Sequence, residues 1–192
     1  VSFVGSTPIA EYIYAEGTKR GKRVQALGGA KNHCILMPDA DMDMATNAIM
    51  GAAYGAAGER CMALSVAVAV GDEIADKMIA ALKNAMQQLK IGVHSDKAND
   101  FGPVITHEHK QKVLGHIKSA SEQGASVLVD GSRTMPAGYE NGFFVGATLI
   151  DNVTKEMSSY QAEIFGPVLQ VMRVQTMDEA MTLINEIGRA HV

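Results

Sequence analysis

Short apolar segments alternate with amphipathic helical patterns along most of this chain of 192 residues. The clearest apolar segments are residues 65–70, 126–129, 143–149 and 168–174. Strands that are apolar almost throughout are typical of parallel sheets covered by helices on both faces. The alternation therefore predicts an α/β fold in three layers, α/β/α, with a mostly parallel sheet.

The start of the chain predicts a strand at residues 1–4, a tight turn and a helix. Ser6 or Thr7 can cap this helix, and Pro8 suits its first turn. Backbone N–H groups at such a turn suit a phosphate, but turns of this kind are common. Amphipathic patterns predict further helices at residues 42–54, 73–89, 108–123 and 178–186.

Charge and composition exclude several classes of protein. Seventeen Lys and Arg stand against 21 Asp and Glu, and the net charge of −4 provides no global basic field for nucleic acid or anionic lipid. No apolar run approaches the ~20 residues that cross a bilayer. Two cysteines are too few for a disulfide scaffold. We therefore expect no nucleic-acid or membrane partner and a reducing compartment, the cytoplasm or, in a eukaryote, the mitochondrial matrix.

The two cysteines differ in their surroundings. Cys61 follows a run of small residues, and Arg60 places a permanent positive charge beside its thiol. A positive neighbour and a glycine-lined approach both favour an accessible thiolate. Cys34 stands in an apolar segment that predicts a buried strand. Cys61 is therefore the candidate nucleophile, and Cys34 a core residue.

No metal site is predicted. His107 and His109 are close in sequence, but on a helix they point to different faces, so a solvated helix start is the better interpretation. Glu163 and Phe165 precede a predicted strand, which by itself indicates only a turn.

Four motifs, in this order, resemble those of the NAD(P)-dependent aldehyde dehydrogenase superfamily. They are Phe3-Val4-Gly5-Ser6-Thr7, Leu27-Gly28-Gly29-Ala30-Lys31-Asn32, Gly58-Glu59-Arg60-Cys61 and Glu163-Ile164-Phe165-Gly166-Pro167-Val168. The resemblance runs essentially the length of the chain. It implies the fold of an aldehyde dehydrogenase catalytic domain and NAD as the cofactor.

The resemblance also implies a role for each motif. Cys61 adds to the aldehyde carbonyl, and hydride transfer to the nicotinamide leaves a thioester; its backbone N–H supplies one oxyanion donor. Glu163 holds the nicotinamide ribose, and Phe165 lies beside it. The remaining implied cofactor-binding residues are Gly5 and Ser6, at the pyrophosphate, and Gly28.

One departure from the superfamily pattern bears on the acceptor of the acyl group. Hydrolytic members carry Glu immediately before Leu-Gly-Gly to activate water, whereas this chain has Ala26. Without that base a thiol acceptor, coenzyme A, is the sensible alternative. Glu59 lies near Cys61 in sequence, and it stays open as a substitute base.

The residues around these motifs look most like the CoA-acylating branch that oxidises methylmalonate and malonate semialdehydes. The resemblance implies decarboxylation and acyl transfer to CoA, giving propionyl-CoA or acetyl-CoA. Arg60 would then bind the carboxylate of the substrate, because guanidinium pairs with carboxylate through two hydrogen bonds. An ion pair with Glu59 is the structural alternative.

The family also implies a longer enzyme, which we expect to be a homodimer or homotetramer. We expect residues 1–28 to be the last strand-helix piece of the NAD-binding domain, residues 29–186 an incomplete catalytic domain, and residues 187–192 a non-native tail. The chain alone is then expected to be inactive. A hydrolytic dehydrogenase and a non-catalytic assembly module are the alternatives.

Overall fold

A computed structural model describes residues 1–187. The strands are β1 (Ser2–Val4), β2 (Gln25–Leu27), β3 (His33–Leu36), β4 (Val66–Val70), β5 (Ser126–Val129), β6 (Thr148–Asp151) and β7 (Val168–Val174). The α-helices are α1 (Thr7–Lys19), α2 (Met42–Tyr54), α3 (Asp72–Met86), α4 (His107–Glu122), α5 (Ser158–Gln161) and α6 (Met177–Ile187).

The main sheet has five strands in the order β3-β4-β7-β6-β5. Its pairs are parallel except for β5 with β6, which is antiparallel. Every residue of β4 is buried. Because successive side chains of a strand point to opposite faces, both faces of the sheet are covered at this strand. The predicted α/β fold with a mostly parallel sheet is confirmed.

The helices pack against one another and against strands of this sheet. Helices α2 and α3 contact each other and β7, α4 contacts α5 and β5, and α6 contacts β4 and β7. Tyr54, at the end of α2, is buried, and its hydroxyl donates a hydrogen bond of 3.0 Å to the carbonyl oxygen of Thr148. This bond joins the end of α2 to the start of β6.

The first residues form a second, two-stranded parallel sheet of β1 and β2, with α1 as the crossover. Its register places Phe3 opposite Ala26. The N–H of Gly5 extends the pairing by donating to the carbonyl oxygen of Leu27 over 3.1 Å. The turn into α1 therefore lies beside the end of β2, where Gly28 follows. The domain division at residue 28 stays a prediction.

Three segments differ from the sequence prediction. Residues 144–147 are buried and Phe143 is partly buried, but all of them lie outside any strand. Strand β6 begins only at Thr148, where pairing with Val168 of β7 starts. Before that point the chain bonds to loops, as the N–H of Gly146 does to Gly131. Helix α3 ends at Met86 rather than residue 89. The short helix α5 was not predicted.

The predicted tail at residues 187–192 falls almost wholly outside the described residues, since Ile187 is the last of them. Within the described part of the chain, no helix combines the length and apolarity needed to cross a bilayer.

Candidate active site

A cleft of about 420 Å³ opens between the turn before α1, helix α4 and the segment before β7. It is lined by six of the seven residues singled out from the sequence: Gly5, Ser6, Gly28, Cys61, Glu163 and Phe165. The seventh, Arg60, does not line it. Residues from four separate motifs thus meet at one surface.

The Cys61 loop, residues 58–62, leaves α2 through a tight 3₁₀ turn. Ala56, Ala57 and Gly58 have φ of 52°, 55° and 69°, all in the left-handed region. Such a run is strained for alanine, so the surrounding packing must hold it. A Cβ on Gly58 would overlap the carbonyl group of Gly166. The Cys61 loop therefore packs backbone to backbone against the segment that contains Glu163 and Phe165.

Asn32 holds the other side of the same loop. Its buried amide nitrogen donates to the carbonyl oxygens of Cys61 over 2.8 Å and Ala63 over 2.9 Å. The bond to Cys61 goes to its backbone, and the residue is exposed at the cleft. The sequence carried no signal for these bonds beyond the place of Asn32 in its motif.

Cys34 provides a contrast with Cys61. It lies on β3, an edge strand, and is half-buried rather than fully buried as predicted. An edge strand has a neighbour on one side only, which explains its partial exposure. Burial raises the pKa of the Cys34 thiol. A raised pKa disfavours the thiolate, so Cys34 is the less reactive of the two cysteines.

Arg60 is exposed and does not line the cleft. Its guanidinium lies against the backbone of Gly55, where an added Cβ would be 2.7 Å from Nη1. Among residues 1–187, it forms no hydrogen bond or ion pair, and so no pair with Glu59. Arg60 lines a narrow crevice beside the cleft, together with Asn32 and Phe165.

The Glu163 turn, residues 163–166, is fixed on the loop after β2. A carboxylate oxygen of Glu163 accepts the N–H of Ala30 over 3.2 Å. On the other side, the N–H of Gly29 donates to the hydroxyl of Thr7 over 2.9 Å. A Cβ on Gly29 would lie 2.8 Å from Glu163 Oε2, so a larger residue there would displace the carboxylate. Through this loop the carboxylate is held next to the turn that starts α1.

Lys31 anchors the chain just before Glu163. Its buried Nζ donates to the carbonyl oxygens of Ser159 and Ala162, each over 2.8 Å. Burial lowers the pKa of Lys31 to about 7, against the opposing effect of the Glu163 carboxylate. A partly neutral lysine at the end of α5 is therefore part of the framework behind the cleft. No local pattern in the sequence pointed to this role of Lys31.

Helix α4 supplies one wall of the cleft through His109, Lys112 and His116. Thr106 caps the helix, as predicted, by accepting the N–H of His109 over 3.1 Å. Spacings of three and four residues place the three side chains on one face of the helix. Burial, with Lys31 and His109 nearby, lowers the pKa of His116. The interpretation of this region as a solvated helix start is wrong for His109, which is part of the wall.

His109 also joins the two segments at the cleft. Its Nε2 lies 2.6 Å from the carbonyl oxygen of Phe165 and 3.5 Å from Oε1 of Glu59. The same Glu59 oxygen accepts the N–H of Ile105 over 3.3 Å. Glu59 is thus held by the start of α4. No cluster of three or more metal-ligating side chains occurs within the described residues.

The arrangement suits covalent chemistry beside a bound dinucleotide. Ser6 caps α1 without a hydrogen bond from its hydroxyl to the helix, and its side chain is exposed at the cleft. The hydroxyl and the helix N-terminus suit a pyrophosphate. Glu163 offers a carboxylate of the kind that accepts ribose hydroxyls. The exposed residue Cys61 shares this cleft with both, so the residues present fit NAD.

Comparison with known proteins agrees with this geometry. The family model described as "Aldehyde dehydrogenase family" matches residues 1–190. Malonate-semialdehyde dehydrogenase of Pseudomonas aeruginosa is 62% identical over 97% of this chain, which spans 37% of that relative's length.

Two solved structures are similar to this chain over nearly its whole length. Methylmalonate-semialdehyde dehydrogenase from Oceanimonas doudoroffii has a TM-score of 0.94 and 65% identity over 96% of this chain and 38% of its own. A putative methylmalonate-semialdehyde dehydrogenase from Sinorhizobium meliloti 1021, complexed with NAD, has a TM-score of 0.93 and 54% identity over 95% of this chain and 37% of its own. The family match covers nearly all of the sequence, and this chain belongs to the aldehyde dehydrogenase family.

Proposed function

We propose that the whole protein is an NAD-dependent oxidoreductase that converts methylmalonate or malonate semialdehyde to propionyl-CoA or acetyl-CoA. The single observation that carries this proposal is the cleft that Cys61 shares with Ser6, Glu163 and Phe165. The relatives named for these two semialdehydes support the substrate class. Because the chain spans 37% of the relative's length, the activity is proposed for the whole protein.

Cys61 is the proposed nucleophile. Its thiolate adds to the aldehyde carbon, and the carbonyl oxygen becomes an alkoxide that the backbone N–H of Cys61 can bind. NAD, when bound, accepts the hydride from this carbon. Loss of the hydride leaves a thioester on Cys61.

Two further steps complete the proposed reaction. The carboxylate beside the thioester leaves as carbon dioxide, and a proton replaces it on the adjacent carbon. The thiolate of CoA then attacks the thioester carbonyl and displaces the Cys61 thiolate. The enzyme returns to its starting state with the acyl group on CoA.

Cofactor binding is assigned to residues on three segments of the cleft. Gly5 and Ser6 would contact the pyrophosphate, and Glu163 would hold the nicotinamide ribose. Phe165 would lie beside this ribose. Gly28 completes the set. The support for Glu163 is its fixed position, since its carboxylate is held by the N–H of Ala30.

A thiol acceptor agrees with the residues at Ala26 and Glu59. Ala26 is buried on β2 and carries no base. The carboxylate of Glu59 already accepts a hydrogen bond from Ile105 and lies 3.5 Å from Nε2 of His109. A carboxylate committed in this way is a poor candidate for activating water. CoA, a thiol, needs less activation than water.

Arg60 is proposed to bind the carboxylate of the semialdehyde. Its guanidinium is exposed, and among residues 1–187 it has no acidic partner to compete with a substrate.

We further propose that the whole protein forms a homodimer or homotetramer. Its proposed location is the cytoplasm, or the mitochondrial matrix in a eukaryote.

The test is formation of NADH by the whole protein from malonate semialdehyde, with and without CoA. The proposal expects continuous formation of NADH only when CoA is present, no more than one NADH per active site without it, and none in Cys61→Ser. Equal turnover without CoA would instead identify a hydrolytic aldehyde dehydrogenase. Titration of NAD into the 192-residue chain tests a further alternative, a non-catalytic assembly module. Tight, saturable binding of NAD would exclude that alternative, because such a module has no reason to bind the cofactor.

A further inference from the structure

We infer that Glu59 and His109 form a positioning bridge that fixes the Cys61 loop against the Glu163 turn. The inference rests on the proposed function, in which Cys61 must lie at a set distance from the nicotinamide. Neither residue is assigned contact with substrate or cofactor. Their proposed role is to hold in place the two segments that are assigned such contacts.

The bridge has three observed contacts. Nε2 of His109 lies 2.6 Å from the carbonyl oxygen of Phe165, in the Glu163 turn. It also lies 3.5 Å from Oε1 of Glu59, two residues before Cys61. Oε1 in turn accepts the N–H of Ile105 at the start of α4. One imidazole nitrogen therefore faces both segments.

The short contact to Phe165 also defines where the proton lies. A carbonyl oxygen accepts but cannot donate, so Nε2 of His109 must carry the hydrogen. The same N–H faces the Glu59 carboxylate, so one hydrogen on Nε2 fits both contacts. Burial supports the contacts, because the exposed fractions of the His109 and Glu59 side chains are only 20% and 16%.

The backbone on both sides of the bridge needs such support. Ala56 and Ala57, just before the Cys61 loop, and Phe165, in the Glu163 turn, have positive φ. Non-glycine residues in this region persist only where surrounding contacts determine them. The ring of Phe165 also meets the His109 ring edge to face, with centroids 6.3 Å apart. The bridge joins these two strained segments through the side chains of Glu59 and His109.

The test is hydrogen–deuterium exchange of the 192-residue chain, read separately for the Cys61 loop and the Glu163 turn. His109→Ala should speed exchange in the Cys61 loop about fivefold, and Glu59→Ala should do the same in the Glu163 turn. Glu59→Ala leaves the contact between His109 and Phe165 in place, so its effect on the Glu163 turn is read in a segment that Glu59 does not touch. The double variant should match either single variant, since one bridge is lost in all three.

Conservative variants and a matched control sharpen this test. His109→Gln and Glu59→Gln keep a donor and an acceptor, respectively, and should restore exchange to within about twofold. His107→Ala changes an exposed histidine on the same helix and should leave both segments unchanged. Effects confined to one segment, or effects that multiply in the double variant, would overturn the inference.

A second measurement needs no variant, in case the alanine variants do not fold. Nitrogen NMR of the imidazole rings at pH 8 should find the hydrogen of His109 on Nε2. A hydrogen on Nδ1 alone would rule out the bond to Phe165 and with it the bridge. Both measurements are independent of turnover, so a failure of the proposed reaction and a failure of the bridge are distinguishable.

Discussion

The backbone of Gly58 lies directly against the carbonyl group of Gly166, with no room for a side chain between them. This contact joins the loop that carries Cys61 to the turn that carries Glu163. Two segments more than a hundred residues apart in sequence are thereby held as one surface. The proposed reaction depends on this closeness, because a thiol and a nicotinamide must meet on the same carbon atom.

Gly58→Ala should disrupt this contact. The new Cβ would overlap Gly166 and stand at a φ of 69°, so we expect the free energy of unfolding to fall by at least about 2 kcal/mol. Urea denaturation measures it. Gly51→Ala is the matched control, because Gly51 lies within α2 with open space around it and should gain roughly 0.5–1 kcal/mol. An unchanged stability in Gly58→Ala would contradict the packing described.

Asn32→Asp should destabilise the Cys61 loop. The substitution replaces an amide that donates to two carbonyl oxygens by a carboxylate that repels them. We expect a loss of about 3 kcal/mol in the free energy of unfolding at pH 7, which denaturation will measure. Asn47→Asp, at an exposed position on α2, should change it by no more than about 0.5 kcal/mol. Similar effects at both sites would argue against the role of Asn32.

The two cysteines should differ in their rate of alkylation by iodoacetamide. Cys61 is exposed, whereas burial raises the pKa of the half-buried Cys34. We expect Cys61 to react at least about tenfold faster near neutral pH. Peptide mass spectrometry identifies the modified residue, with Cys61→Ser as the control. Preferential modification of Cys34 would be evidence against Cys61 as the nucleophile.

Lys31 should make stability rise with pH. Burial lowers its pKa to about 7 in the folded chain, from 10.5. Between these values the unfolded chain holds the proton and the folded chain does not, so the free energy of unfolding should increase by up to about 1.4 kcal/mol per pH unit. Below about pH 7 both states are charged, and this gain is absent.

Urea denaturation from pH 6 to 9 will measure this slope. Lys31→Met should flatten it, whereas Lys118→Met, at a position 77% exposed, should leave it as in the wild type. An equal slope in Lys31→Met and the wild type would show that another group is responsible.

Local signals predicted much of the fold. The bounds of α2 and β7 were predicted correctly, and so was the Thr106 cap, because caps and apolar runs are encoded by adjacent residues. The error at residues 143–149 has a long-range cause. That segment is as apolar as a strand, but only its last part reaches a partner strand.

Most of the contacts that hold the candidate site in place could not be predicted from the sequence. Asn32 bonds to Cys61 across 29 residues, and His109 bonds to Phe165 across 56. Such pairs depend on how the chain folds back on itself, and no local pattern encodes them. The motif residues could be found because the resemblance to a family supplied their roles, whereas the residues that hold them could not.

The most direct test of the central claim is the CoA dependence of NADH formation by the whole protein with malonate semialdehyde. We predict that NADH forms continuously only when CoA is added, with no more than one NADH per active site in its absence, and that Cys61→Ser abolishes its formation. Continuous NADH formation at the same rate without CoA, or in the serine variant, would contradict the account.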